Sequence, residues 1–240
     1  MAMLENLQKK KEFQMLALDH FGSIVAKVGK ENLVGFKKDI LQTLGAKASA
    51  VLLDTEYGLP AYRGANIKTC FILKADPKGE ANTPSLSPTE AKTQGAAAIK
   101  FWAKYPLEQK DLIATLAAEA SQEGLPFILE ITLVDTALEV TLIAMLTWHL
   151  PVSIFKLPYP GSPENCQKIT KLLGKTPWVM LSGGDNFDTF LQNYQIAKAN
   201  GCVGFLAGRS LWQEALDIPQ KKREGFIIET VIPKWERLIS

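Results

Sequence analysis

The sequence predicts an α/β fold, a single (β/α)8 TIM barrel, and three observations carry that prediction. Eight short apolar runs recur along the chain and alternate with segments whose apolar residues fall at helical spacing. Runs that are apolar throughout suit parallel strands buried on both faces, and strand–helix alternation is the pattern of a parallel sheet covered by helices. The 240 residues also match the roughly 250 that a closed eight-unit barrel uses. An open doubly wound sheet is the alternative, but no GxGxxG follows the first run and no edge strand is evident. No linker rich in Gly, Ser or Pro divides the chain, so residues 1–240 are expected to form one domain.

The first unit is FQMLALD (13–19), an apolar run closed by an acid, then a turn holding Gly22, then ENLVGFKKDILQTLG with Leu33, Phe36, Ile40, Leu41 and Leu44 on one helical face. Gly45 stands where a helix C-cap glycine belongs. The second run, ASAVLLD (48–54), again ends in aspartate and leads into GLPAYRG (58–64), a short helix candidate punctuated by Pro and Gly. The third, TCFILKAD (69–76), is followed by a polar stretch over 77–88 and is the least regular unit. The fourth pairs AAAIKFW (96–102) with a helix over about 107–123 that carries Leu112, Leu116 and Ala120 on one face; the fifth pairs PFILEITLV (126–134) with an apolar helix near 136–150. The sixth strand lies within VSIFKLPYP (152–160), and Ser162 with nearby Glu164 marks the start of its helix. PWVMLSGG (177–184) precedes a helix over 187–200 that ends at Gly201. CVGFLAGRS (202–210) precedes a closing helical region over 212–238 with expected breaks at Pro219 and Pro233.

Composition narrows the function classes. The net charge of +2 comes from mixed signs spread along the chain, which gives no electrostatic case for a nucleic-acid partner. Three cysteines, without CxxC or His-rich spacing, read as free thiols in a reducing compartment, with Cys70 and Cys202 as small buried residues. The first residues hold charges but no apolar h-region, and the apolar segment 136–152 is short and interrupted by Glu139, His149 and Pro151. A cytoplasmic protein with no membrane partner is expected; self-association into a homo-oligomer is left open.

Polar residues that close apolar strands are the functional candidates, because the active site of such a barrel lies at the C-terminal strand ends. Asp19, Asp54, Lys100, Glu130 and Lys156 all fall in or at the ends of predicted strands. Lys156 follows Ile154 and Phe155, where burial would lower its pKa and free a nucleophilic amine; the structural alternative is that it snorkels outward to a carboxylate. Asp19 and Asp54 have a comparable alternative as caps of the segments that follow. Lys100 and Glu130 are flanked by apolar residues, so each must be paired or line a cavity. Ser182, Gly183 and Gly184 close the seventh run and Gly208 and Arg209 the eighth. Loops after strands seven and eight are the common phosphate site of this fold, with glycines exposing backbone N–H groups and Arg209 available for bidentate binding. Together these residues suit carbonyl chemistry on a phosphorylated small molecule: Lys156 forms an imine with a ketone, Lys100 destabilises its charged form by repulsion, and Glu130 or Asp19 moves protons. The scheme requires no metal and no cofactor.

Seven ordered stretches, ALDHFGS (17–23), LLDTEYGLPA (52–61), AAIKFWAKY (97–105), PFILEITL (126–133), IFKLPYP (154–160), PWVMLSGG (177–184) and GFLAGRSLW (204–212), resemble the class I, Schiff-base aldolases of the tagatose 1,6-bisphosphate and sulfofructose phosphate aldolase group. The resemblance implies a (β/α)8 barrel that cleaves a ketose phosphate to dihydroxyacetone phosphate and an aldehyde. It makes Lys156 the imine lysine, Asp19, Lys100 and Glu130 its polar neighbours, and Ser182, Gly183, Gly208 and Arg209 the phosphate binders. The chain departs from the group after Asp19, where His20 and Phe21 replace an expected glutamine and arginine, and in its short region 70–94, where a second anionic group would be held. His20, Asp54, Tyr57 and Arg63 are further candidates for substrate contact, and His149 reads as structural. Two other functions fit the same pattern: a phosphometabolite sensor that has lost turnover, and a sugar-phosphate isomerase using Glu130 as base.

Overall fold

Each of the eight apolar runs forms a strand in the computed structural model, which describes residues 2–76, 84–104, 109–132 and 150–240. The strands are β1 Phe13–Ala17, β2 Ala50–Leu53, β3 Cys70–Lys74, β4 Ala98–Lys104, β5 Phe127–Thr132, β6 Ile154–Leu157, β7 Trp178–Leu181 and β8 Gly204–Ala207. Every strand pairs in parallel with its sequence neighbours, and β8 returns to β1, so the sheet is a closed barrel. The expected (β/α)8 architecture is therefore present.

Two apolar layers account for the continuous hydrophobic runs. Side chains alternate across a strand, so one set of residues points inward and the other outward. Met15, Ala17, Ala50, Leu52, Ile72, Ala98, Ile128, Ile154, Val179 and Leu206 pack together inside the barrel, and Leu7 joins them. The opposite phase, including Leu16, Val51, Leu53, Leu73, Ile99, Leu129, Phe155 and Met180, packs under the helices. Burying both faces of every strand leaves the strand ends and loops as the places where polar groups meet solvent.

The barrel closes at a tight seam. Phe13 pairs with Gly204, and a Cβ on Gly204 would stand 2.2 Å from the Phe13 carbonyl oxygen, so β8 can approach β1 only with glycine there.

Several helix ends follow their sequence signals. The Ser162 side chain accepts from the Asn165 N–H and starts Pro163–Leu173, and Asn186 does the same for Phe187–Ala199. Two expectations are corrected. Gly45 is not a left-handed cap: it opens a short 3-10 turn, and it is small because a Cβ would press within 2.9 Å of Ile67. Pro219 does break the closing region, but Pro233 does not. Helix Gln220–Phe226 runs through a π turn, Ile227–Val231, into Ile232–Ile239, and the wide turn just before Pro233 accommodates its missing N–H. Cys202 is buried as expected, whereas Cys70 is only half-buried. The helix expected near 136–150, with His149, lies outside the described residues apart from its last position. No described helix is long and apolar enough to cross a membrane.

Candidate active site

The alternation that builds the inner core also builds the mouth. Asp19, Lys74, Lys100, Glu130 and Lys156 each stand two residues beyond an inward apolar residue, respectively Ala17, Ile72, Ala98, Ile128 and Ile154. They keep the inward phase and rise to the C-terminal end of the barrel. With His20, Asp76 and Trp102 they line one open cavity of about 160 Å³. Lys74 and Lys100 are register neighbours across β3 and β4, and Glu130 and Lys156 across β5 and β6.

Lys100 is the hub of this cluster. Its Nζ, 1% exposed, lies 2.9 Å from Asp76 Oδ2, 3.0 Å from Glu130 Oε2 and 3.2 Å from Asp19 Oδ2. Burial disfavours its charge, but Asp76, Glu130 and Asp19 outweigh that and hold Lys100 well above the usual lysine range. Lys156 Nζ, 6% exposed, reaches the same Glu130 oxygen at 3.0 Å. One carboxylate oxygen thus lies between two ammonium groups, and the like-charge neighbour expected of Lys156 is in place. Burial opposes ionisation of Glu130, yet Lys100 and Lys156 bring it down to about 2. Asp19 is likewise opposed by burial and held well below the usual carboxylate range by Lys100, His20, Lys156 and Lys74.

His20 sits 3.6 Å from Asp19 through Nδ1 and edge-on to Trp212. Burial pushes it down to about 4 and Asp19 pulls the other way, while Lys156 and Arg209 act in the same direction as burial. It is therefore a neutral imidazole at physiological pH.

The ends of β7 and β8 supply a second group of donors. Gly183 and Gly184 have φ of +59° and +98°, and a Cβ on Gly184 would stand 3.2 Å from the Arg209 guanidinium. A Cβ on Gly208 would meet the Ala17 carbonyl oxygen at 2.7 Å. Arg209 donates to the Gly183 carbonyl at 3.1 Å, and the Gly208 N–H donates to Ser182 Oγ at 3.4 Å. Among the described residues, Arg209 Nε and Ser210 Oγ are buried without a hydrogen-bond partner. Donor groups thus converge here, with no carboxylate among these residues, which is the chemistry of an anion site.

Three sequence candidates, Asp54, Tyr57 and Arg63, lie in neither the cavity lining nor the donor group at the ends of β7 and β8. Asp54 is turned to structural work: its carboxylate accepts from the N–H groups of Tyr57 and Gly58 and pairs with Lys37, a fully buried lysine of helix Leu33–Thr43. This is the capping alternative noted for Asp54. Tyr57 stacks on Phe21 and donates to Glu56 at 2.7 Å. Arg63 is exposed and donates to Gln94 at 2.7 Å.

Sequence reasoning passed over Lys74, Asp76 and Ser210. Lys74 carried the same two-residue offset from an interior position as Lys100 and Lys156. Asp76 closed the third run as Asp19 closed the first, and it also accepts the Trp102 N–H at 2.7 Å, taking the place of a β3 partner beyond the strand's end. A larger groove of about 540 Å³ lies elsewhere, along Lys27 to Gly35 and Leu216 to Arg223, but its Lys27 and Asp217 pair with each other and its Arg223 pairs with Asp39 outside the lining. Volume does not single out the site; the convergence of buried, mutually perturbed groups does.

Comparison with known proteins places this geometry in context. A family model described as DeoC/LacD family aldolase matches residues 13–214. Tagatose 1,6-diphosphate aldolase 2 of Enterococcus faecalis is 26% identical over 234 residues, covering 75% of this chain and 71% of that protein. Tagatose 1,6-diphosphate aldolase of Staphylococcus aureus is 26% identical over 233 residues, with the same coverage. Among solved structures, an archaeal fructose 1,6-bisphosphate aldolase superposes with a TM-score of 0.70 at 18% identity, over 95% of this chain and 99% of that one. A Schiff-base-forming fructose-1,6-bisphosphate aldolase gives 0.69 at 19% identity, with the same coverage. At these identities the structural likeness speaks to the fold.

Proposed function

The chain belongs to the DeoC/LacD aldolase family, and from that premise we propose that it is a class I aldolase cleaving a ketose phosphate through an imine on Lys156. The observation that carries this reading is the shared Glu130 oxygen, 3.0 Å from both Lys156 Nζ and Lys100 Nζ. Glu130 takes a proton from the Lys156 ammonium, and the free amine adds to the substrate ketone to give a carbinolamine. Glu130 returns the proton to the departing hydroxyl, water leaves, and a protonated imine remains. Asp19 or Glu130 then accepts the proton of the hydroxyl two carbons from the imine carbon. The bond from that hydroxyl-bearing carbon to the carbon next to the imine breaks, its electron pair passes into the imine as an enamine, and the aldehyde departs. Reprotonation of the enamine carbon and hydrolysis of the imine release dihydroxyacetone phosphate and regenerate Lys156.

Lys100 has a distinct role. Held charged by three carboxylates, it moves no proton itself; it keeps Glu130 and Asp19 ionised in the resting site, so that both are acceptors, not donors, when substrate arrives. Ser182, Gly183, Gly184, Gly208 and Arg209, together with Ser210, receive the phosphate, with Arg209 Nε and Ser210 Oγ, which have no hydrogen-bond partner among the described residues, as further donors. His20, a neutral imidazole, feels both Lys156 of the first group and Arg209 of the second. The reading assigns one domain over 1–240 and, given a phosphorylated metabolite and three free thiols, a reducing cytoplasmic compartment.

Borohydride reduction in the presence of dihydroxyacetone phosphate tests the reading. Mass is expected on the peptide that holds Lys156, and labelling that persists unchanged in Lys156→Ala defeats it. Thermal stabilisation by the ligand without trapping or cleavage is the signature of a sensor, and isomerisation without trapping that of an isomerase.

A further inference from the structure

The cleavage scheme leaves one proton without a carrier: the one delivered to the enamine carbon before the product can leave. The carboxylates of the mouth are poor sources for it. Asp19, Asp76 and Glu130 all lie within 3.2 Å of Lys100 Nζ, and Asp19 and Glu130 are held ionised there. Lys100 itself is held charged, and Lys156 is occupied as the imine. Among the described residues, His20 is the only imidazole that lines the cavity.

The fold fixes that ring on three sides. Its Nδ1 is buried, has no hydrogen-bond partner among the described residues and lies 3.6 Å from Asp19 Oδ1. Trp212 packs edge-on against it, and a Cβ on Gly208 would meet His20 Cε1 at 3.0 Å, so Gly208 leaves room for the imidazole. The 27% of the side chain that stays exposed faces the cavity. A neutral imidazole accepts a proton on one nitrogen and donates from the other, so this ring can take a proton from the Asp19 side and deliver one to the cavity. Burial, Lys156 and Arg209 favour the neutral ring, and Asp19 and Glu130 the charged one. A phosphate dianion on Arg209 would tip that balance toward the charged ring, so that a phosphorylated substrate prepares the group to carry its proton.

We infer that His20 is a catalytic residue that carries the proton released by the substrate hydroxyl to the enamine carbon. The inference rests on the aldolase reading above and deepens it. Asp19 takes the hydroxyl proton as the carbon–carbon bond breaks and passes it to His20 Nδ1, which gives an imidazolium beside the Asp19 carboxylate. The enamine electron pair then takes the Nε2 proton to form the new carbon–hydrogen bond. The Lys156 nitrogen becomes a protonated imine again, and the ring returns to its neutral form. One proton leaves oxygen and one arrives at carbon, so the step consumes no outside acid or base.

The test uses dihydroxyacetone phosphate alone at saturating concentration. Exchange of its hydroxymethyl hydrogen with deuterium oxide, followed by proton NMR, reports proton transfer at the enamine carbon, and borohydride trapping on Lys156 reports the imine that precedes it. His20→Gln is expected to slow exchange at least about 100-fold, the lower bound for a positioned proton carrier, while the rate of trapping stays within about threefold of wild type. Exchange that persists unchanged overturns the inference. Exchange and trapping that fall by the same factor overturn it as well, because a residue that only supports the site slows both. If His20→Gln does not fold, NMR titration of His149→Gln replaces it, since His20 and His149 are the only two histidines of the chain. Saturating inorganic phosphate must then raise the pKa of the single remaining ring, and an unmoved pKa overturns the inference. Wild type that gives no borohydride adduct with dihydroxyacetone phosphate counts against the aldolase reading instead.

Discussion

Two buried lysines in this barrel, Lys37 and Lys100, are opposite in what their burial achieves. Lys37 lies under the helical layer and pairs with one carboxylate, Asp54, whose remaining capacity is filled by the N–H groups of Tyr57 and Gly58. Burial outweighs that single partner and draws Lys37 below the usual lysine range. Lys100 lies at a cavity floor and meets three carboxylates, which together outweigh burial and raise it. The Lys37 pair is sealed and internally complete, so it fastens β2 to its neighbouring helix. The Lys100 cluster is open on one side, holds more groups than it needs for neutrality at any single position, and includes Lys156 as a second amine on a shared oxygen. A buried charge marks a reactive site when its compensation is shared and open to a ligand, and a structural one when it is private and closed.

The contrast can be broken most severely at Lys156. Lys156→Ala is expected to reduce cleavage to background while leaving the melting temperature within a few degrees of wild type, as read by an aldehyde-detection assay and calorimetry. Glu130→Gln should lower kcat by roughly 10²- to 10⁴-fold, the range for loss of a positioned proton carrier; a change confined to KM would remove Glu130 from the proton path. On the sealed side, Lys37→Met should reduce unfolding free energy by about 3 kcal/mol, because Asp54 is left without its cation, yet keep kcat per folded molecule. Urea unfolding and active-site titration together separate those effects. Arg209→Ala should raise KM for a phosphorylated ketose by roughly 30-fold, equivalent to about 2 kcal/mol for a charge-assisted bond.

The smallest effect concerns pH. His20 is held near 4, below its ordinary 6.5, so the folded state binds its proton less readily than the unfolded chain does. Its contribution to stability is complete above pH 6.5 and is lost as pH falls toward 4. Unfolding of wild type and His20→Gln at several pH values should diverge through that window; parallel curves would show that the imidazole is not held neutral. Glu130, held near 2, contributes in the same sense at lower pH, complete above its ordinary 4.5 and lost as pH falls to about 2.

The barrel was legible because each strand is buried on both faces, which writes an uninterrupted apolar run into the sequence. The lysines and the glutamate were legible for the same reason: at positions 100, 130 and 156 a charge interrupts such a run. Asp54 stayed open between two roles because a strand-end aspartate has the same local signature whether it faces the mouth or caps the next helix, and its deciding partner, Lys37, lies in a helix that otherwise reads as amphipathic. Asp76 and Lys74 were obscured by the irregular third unit, where the run ends in alternating charge. The short-range rule that recovers Lys74 is the inward phase set by Ile72; Asp76 requires knowing that β4 outlasts β3. Pro233 misled because a local helix breaker was read without the π turn that absorbs it.

The glycine at the seam has a consequence for how this molecule comes together. Gly204 docks on Phe13, so the first strand cannot satisfy one whole edge until nearly all of the remaining strands are in place. Closure is thus the strand pairing of greatest sequence separation, and its entropic cost falls late in folding. Gly204→Ala would act on that last step, prolonging the lifetime of an unclosed sheet with two bare edges and favouring aggregation over the finished ring.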